Sequence, residues 1–410
     1  MMIRPLHVFS ALAALVLLGA PSHGEEASFT LTVKEPVNGT LSLDPALPED
    51  GKVAKGTTVR ATATPAPGYA LDSLYYSVPG RWGPMYIESM VPTLEVTVDQ
   101  DKTIGALFLP ETEFEGFTVT QDVVYAQPGV KPLKYDVFSP DGAEGLPIVV
   151  IIHGGGWRAN TEDIMRGMAR EIVKTGRYVV FSVDYRWVDK GDGDETGNTM
   201  ADLVDDVFGA VAHIQEHATQ YGADPTRIAV TGDSAGGHLS AVVATMPDKI
   251  GDGGFGKKPG VFEFMPSYVP EGKSVAQVRR EIMDAVQVAA PSYGVFATLR
   301  HFSEDPAADE AWSAAVSPIN HIPAADERRI PQYLVRGTED PLIKDEMVRG
   351  FAEALEAKGQ TAEYVQVEGA SHAFFDWKPD QRTRDTFARF GVPYLREMIA
   401  FFDAVFYPKG

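Results

Sequence analysis

Apolar and polar positions alternate with two different periods along this chain. From residue 28 to about residue 109 the period is two: Val59, Ala61 and Ala63 share one face of "GTTVRATATPAPGY". Leu94, Val96 and Val98 share one face of the next run, and Ile104, Ala106 and Phe108 one face of the run after it. Asp99 to Lys102 separates the last two runs as a polar turn, and no helical period intrudes. This pattern predicts a small all-β unit. Beyond about residue 117 short apolar runs appear in "LPIVVIIHGGGW" and "RYVVFSVDYRW", and the strand-like segments "RIAVTG", "PQYLVRG" and "AEYVQVEG" come after them with helical segments between. Such runs suit parallel strands covered on both faces. Between Thr199 and Tyr221 the apolar positions Met200, Leu203, Val204, Val207, Val211 and Ile214 fall at helical spacing, with Thr199 and Asp202 placed to form a capping box. Strands alternating with helices predict an α/β domain with a mostly parallel sheet.

Three segments stand outside these two patterns. Residues 110 to 116, "PETEFEG", are polar and read as a linker between independent cores. Residues 250 to 275, within the longer 246–290 insertion, are rich in Gly, Lys and Pro and read either as an inserted loop or cap over one end of the sheet or as a disordered surface excursion. Residues 1–24 carry Arg4, an apolar run from Val8 to Leu18 and the small residues around Gly24. That is a signal-peptide pattern, too short to span a bilayer comfortably. The expected division is therefore 1–24 signal peptide, 25–110 β-rich module and 117–410 catalytic domain, with the mature protein secreted or periplasmic.

The chain of 410 residues has 44% hydrophobic content, a formal net charge of -21 and no cysteine. The charge disfavours nucleic acid and anionic membrane surfaces as partners. No later segment approaches the length of a membrane span, so no stable membrane insertion is expected. The lack of cysteine removes disulfides, a thiol nucleophile and thiolate metal sites.

The candidate chemistry begins at "VTGDSAGGHLS", where Ser234 stands between Gly232 and Gly236. By chance alone a G-x-S-x-G match turns up in roughly one chain in ten of this length. The context sharpens it: the apolar strand Ile228 to Val230 precedes the motif and a helix-compatible run, Leu239 to Ala244, follows. Strand, tight turn and helix expose a serine hydroxyl above the sheet. Upstream, "HGGGW" follows the strand Ile148 to Ile152, and its bare amides suit an oxyanion, each donor contributing about 3 kcal/mol. A serine needs a base. Of the histidines, only His372 follows the serine and sits in a loop after a strand; His301 and His321 read as surface or loop packing. The acid should end the preceding strand. Asp340 fits, its neighbour Glu339 is the rival, and Asp376 is out of order. Trp157 directly follows the glycines, either standing beside the acyl group and limiting its depth or packing inward to support the loop.

Together "HGGGW", "VDYRW", "YGADPTRIAVTGDSAGGHLSA", "SPINHI", "VRGTEDPLI" and "GASHAF" resemble the α/β-hydrolase serine esterases, specifically the secreted bacterial carbohydrate- and feruloyl-esterase-like, hormone-sensitive-lipase-related branch. The order Gly-Thr-x-Val, Thr-Pro-x-Pro-Gly-Tyr, Asp-Lys-Thr-Ile-x-Ala-x-Phe in the first unit resembles internalin-type B-repeat modules. The hydrolase resemblance implies Ser234 as nucleophile, His372 as base and Asp340 as its orienter. It places the oxyanion donors at Gly155 or Gly156 and at Ala235, makes Asp184 and Arg186 buried structural partners, and implies no metal or organic cofactor. The expected substrate is a small-molecule or polysaccharide-linked ester, with glycan or cell-surface contact assigned to the module. The rivals are a peptidase or amidase on the same fold, and a non-catalytic carbohydrate-binding protein.

Overall fold

The computed structural model describes residues 27–80, 83–252, 263–297 and 312–408. The signal-peptide segment, His301 and part of the 246–290 insertion lie outside them.

The first unit holds eight strands. These are β1 (Ser28–Val33), β2 (Gly39–Asp44), β3 (Lys52–Ala54), β4 (Thr57–Pro65), β5 (Tyr69–Gly80), β6 (Gly83–Ser89), β7 (Thr93–Val98) and β8 (Lys102–Pro110). They form two sheets, in the orders β3-β1-β8-β5-β6 and β2-β4-β7. The period-two faces explain the core: Val59, Ala61, Val96, Val98, Ile104 and Phe108 are all buried in one cluster. Strands β7 and β8 follow each other across a short turn yet belong to different sheets, so the turn carries the chain from one layer to the other.

The second unit is a single eight-stranded sheet. Its strands are β9 (Phe117–Ala126), β10 (Leu133–Pro140), β11 (Leu146–Ile152), β12 (Val179–Val183), β13 (Ala223–Asp233), β14 (Val286–Ser292), β15 (Gln332–Gly337) and β16 (Ala362–Val367). The order is β16-β15-β14-β13-β11-β12-β10-β9. Every neighbouring pair from β12 to β16 is parallel, while β10 runs antiparallel to both β12 and β9. Successive residues of β11 feed opposite faces, as pleating requires: Ile148, Val150 and Ile152 enter one core, Val149 and Ile151 the other. Helix α1 (Arg166–Val173) and the long helix Val392–Phe406 cover the second face. Helix α2 (Met200–His217) covers the first, and its apolar stripe is the one read from sequence. The Thr199 amide donates to the Asp202 carboxylate at 2.7 Å, closing the expected capping box. No helix among the described residues is long and apolar enough to cross a membrane.

The polar segment before β9 departs from the linker expectation. Glu111–Phe114 is a 3-10 turn, and Phe114 packs against the core of the second unit. Met90, just past β6, is buried in that same core. The two units meet in a closed contact rather than across a free tether.

Candidate active site

Every chemical group of the site hangs from the carboxyl end of a parallel strand, where open α/β sheets place their ligands. Strand β13 ends at Asp233, and helix α3 (Ala235–Thr245) begins two residues later. Ser234 is the single residue between them, with φ 52° and ψ -113°. A side chain in that region is strained, and the surroundings enforce it. A Cβ on Gly236 would lie 1.9 Å from the Ile152 carbonyl oxygen, and one on Gly232 would lie 2.4 Å from the same atom. Only glycines let β11 and the turn approach this closely.

His372 follows β16 across a short loop. Its Nε2 lies 2.9 Å from Ser234 Oγ and its Nδ1 lies 2.8 Å from Asp340 Oδ2. Asp340 follows β15 and is buried, whereas Glu339 is exposed. The other Asp340 oxygen accepts the amides of Leu342 (2.8 Å) and Ile343 (2.9 Å), so the carboxylate is fixed from both sides. Burial pushes its pKa up, but the bond to His372 and those two amides outweigh burial and hold it below the ordinary carboxylate range. An ionised Asp340 accepts Nδ1–H and leaves Nε2 free to take a proton from Ser234. Tyr293 sets its ring edge-on to His372 at 5.0 Å between centroids. Asp376 stays out of this line and lies beside Asp233, whose carboxyl burial and Asp376 together push up to about 7.

The glycine loop lies over the turn. Gly155 and Gly156 take φ of 124° and 61°, conformations that side chains rarely adopt. The peptide of Gly154 is held at both ends: its amide donates to Asp233 Oδ1 at 2.7 Å, and its carbonyl accepts from Asn160 Nδ2 at 3.3 Å. His153 beneath is buried, bonded to Asp184 at 3.1 Å and stacked on Tyr185 at 4.2 Å. Asp184 and Arg186 are both buried, in ion pairs with Lys131 and with Asp206. Ala235 is the first residue of α3, where helix amides have no partner within the helix and point outward. The structure thus brings Ser234, His372, Asp340, Gly155, Gly156 and Ala235 to one edge of the sheet.

Trp157 is placed differently from the acyl-limiting position. It is only 7% exposed and lies in the core cluster of α2 and α3. Its indole N–H donates to His238 Nδ1 at 3.3 Å. The His238 Nε2–H then donates to the Val316 carbonyl at 2.7 Å, and burial pushes the imidazole down to about 4, so it stays neutral. This is the inward packing that supports the loop. His321 bonds a backbone carbonyl, that of Ala314. Sequence reasoning did not single out Asp233, Asn160 or Tyr293. Asp233 was visible as the variable residue of the motif, but only the fold shows that it holds the glycine loop.

An eight-stranded, mostly parallel sheet with its serine on a strand-to-helix elbow is an α/β-hydrolase. Residues 135–355 match the BD-FAE family, and the chain belongs to it. Ser234 and Asp340 fall inside the matched residues, and His372 just beyond. Residues 29–112 match the divergent InlB B-repeat domain. The carboxylesterase NlhH of Mycobacterium tuberculosis is 35% identical over 144 residues, which is 35% of this chain and 41% of NlhH. The chain therefore spans about two-fifths of the length of that relative. Among solved structures, the native Est2 esterase of Thermogutta terrifontis is 25% identical with a TM-score of 0.53, covering 72% of this chain and 94% of the esterase. Its propionate-bound form is 26% identical with a TM-score of 0.52, covering 73% and 98%.

Proposed function

We propose that this protein is a serine esterase that hydrolyses carboxylic esters through an acyl-enzyme. The observation that carries this reading is the continuous line Ser234–His372–Asp340, with two bonds of 2.9 and 2.8 Å, facing a loop of bare glycine amides. Ser234 Oγ attacks the ester carbonyl carbon while His372 Nε2 takes its proton. The tetrahedral oxyanion is received by the amides of Ala235 and of Gly155 or Gly156. His372 then protonates the leaving alkoxide oxygen, the alcohol departs, and a water activated by His372 releases the acid.

We assign the substrate class as short-chain or aromatic acyl esters of carbohydrates. The resemblance to the carbohydrate-esterase-like branch supports the alcohol, and the propionate bound to the related Thermogutta esterase supports a short acyl group. The net charge of -21 works against docking on anionic lipid surfaces. The leader-like pattern of residues 1–24 supports a secreted or periplasmic location, and the B-repeat-like module supports contact with glycan or cell surface.

A series of p-nitrophenyl esters tests the reading. Rates should peak within the first few acyl carbons, and Ser234→Ala should lower turnover on the order of 10⁴-fold or more. A maximum at eight or more carbons overturns the acyl assignment, and a folded Ser234→Ala protein keeping a tenth of the activity overturns the nucleophile. Cleavage of peptides in preference to esters would place the protein among amidases.

A further inference from the structure

The contact between the two units is built around one carboxylate. Asp72 on β5 is fully buried. Its Oδ2 accepts from Arg166 Nε and from Trp377 Nε1, each at 3.0 Å, and its Oδ1 accepts from Arg170. Glu88 on β6 closes the cluster by accepting from Arg166 at 2.5 Å. Burial alone would raise the Asp72 carboxyl, but Arg166 and Arg170 outweigh it and hold it down at about 2. A buried charge with three partners aimed at it is a fixed point in the molecule.

Trp377 connects that point to the site. It lies five residues after His372, in the same loop. Its backbone amide donates to the Ile164 carbonyl at 3.1 Å, and its ring lies under the Arg170 guanidinium at 4.7 Å. A Cβ on Gly167 would come within 2.7 Å of the ring, so α1 has been cut away to seat it. Between His372 and Trp377 the loop is also held by Phe374 and Phe375, both buried and packed on Tyr293. The Asp376 amide on the Ala373 carbonyl, the Phe375 amide on the Tyr293 hydroxyl at 3.3 Å and the Asp376–Lys378 pair hold it further, so Trp377 adds the tie that reaches across to the other unit. The indole N–H is thus a direct bond from the histidine loop to the β module.

We propose that Asp72 of the β module is a positioning residue for ester hydrolysis, acting through Trp377 to fix the loop that presents His372 to Ser234. The module then serves as a clamp on the catalytic base as well as whatever surface it meets. This rests on the esterase reading, but it fails separately from it. His372 must sit within hydrogen-bond reach of two groups at once, and a misplacement of about 1 Å in such a line can cost 10²-fold.

The test is a double-mutant cycle in the full chain, read as kcat and KM on a soluble p-nitrophenyl ester and as thermal stability. Trp377→Phe removes the N–H, leaves a smaller aromatic ring under Arg170 and keeps the Asp72–Arg166–Arg170 pairs in place. It should lower kcat about tenfold with KM within twofold. Asp72→Ala should lower kcat similarly and also lower the melting temperature, because Arg170 loses its carboxylate partner and Arg166 one of its two. In the Trp377→Phe background, Asp72→Ala should cost no further kcat while still costing stability. Independent, multiplying effects on kcat, or wild-type kcat in a folded Trp377→Phe protein, overturn the proposal. Should Asp72→Ala fail to fold, Trp377→Phe alone decides it. Absence of ester turnover in the parent would instead overturn the esterase reading.

Discussion

At Ser234 the backbone, not the side chain, carries most of the design. Its φ of 52° is held by strand β13 on one side and α3 on the other. The acid beside it shows how finely register decides a role. Asp340 and Glu339 are adjacent and carry the same charge, yet one is buried against His372 and the other faces water. Asp340→Asn should therefore lower kcat/KM by about 10³-fold or more, since the amide supports the wrong imidazole tautomer, while Glu339→Gln should stay within a few-fold. Steady-state kinetics of the two variants checks this, and a weaker Glu339 variant would reverse the assignment. The triad residues were legible because each follows a strand-like segment: Ser234 and Asp340 follow strands that end buried, and His372 follows the half-exposed edge strand β16. The inward turn of Trp157 was not legible, because its partner His238 lies 81 residues away and only the fold joins them.

Among the elements, the elbow shows why the glycines matter individually. Strand β11 and the start of α3 touch backbone to backbone at Gly236, where a Cβ would lie 1.9 Å from Ile152 O and 2.6 Å from His153 O. Gly236→Ala should push the glycine loop off the turn, lowering ester turnover at least tenfold and the melting temperature by several degrees. Differential scanning calorimetry alongside an ester assay reads both. Strand and helix positions were recoverable from apolar runs at β11 and β12 and from the helical period at α2. The 3-10 turn at Glu111–Phe114 escaped, since three acids around one phenylalanine look like a solvated tether. Its packing depends on a core that sequence does not display.

For the molecule as a whole, two consequences follow from the buried charges. The first concerns the module. A chain beginning at Glu115 loses Phe114, Met90, Asp72 and Glu88 from the contact and leaves Arg166 and Arg170 unpaired. Its melting temperature should fall several degrees below that of the full chain, and its kcat should fall with the release of Trp377. Equal melting temperature and kcat would mean independent cores, as the polar linker alone suggests. The second concerns pH. Burial, the largest cause in each case, pushes Asp136 up to about 7 and Asp205 up to about 8. The folded state then binds more protons than the unfolded state between about pH 4 and 8, so stability falls as pH rises through that window. Asp72 works the other way: its depressed pKa stabilises the fold above its ordinary value of 3.8, and that contribution is lost as pH falls toward about 2. The melting temperature should be higher at pH 5 than at pH 8, and Asp205→Asn, which can still accept from the Met265 amide, should flatten the difference. A melting temperature that rises from pH 5 to pH 8 would contradict these titrations.

The bond between Asp72 and Trp377 spans 305 positions of the chain. A ribosome delivers the clamp long before it delivers the loop to be clamped, and Ser234 appears 138 positions ahead of His372. The nucleophile thus exists for about a third of synthesis without a base, and the base arrives five residues before its anchor. No length short of His372 carries the full Ser234–His372–Asp340 line. On the proposed clamp, full turnover waits until segments 305 positions apart have met, which would make activity a report of completed folding.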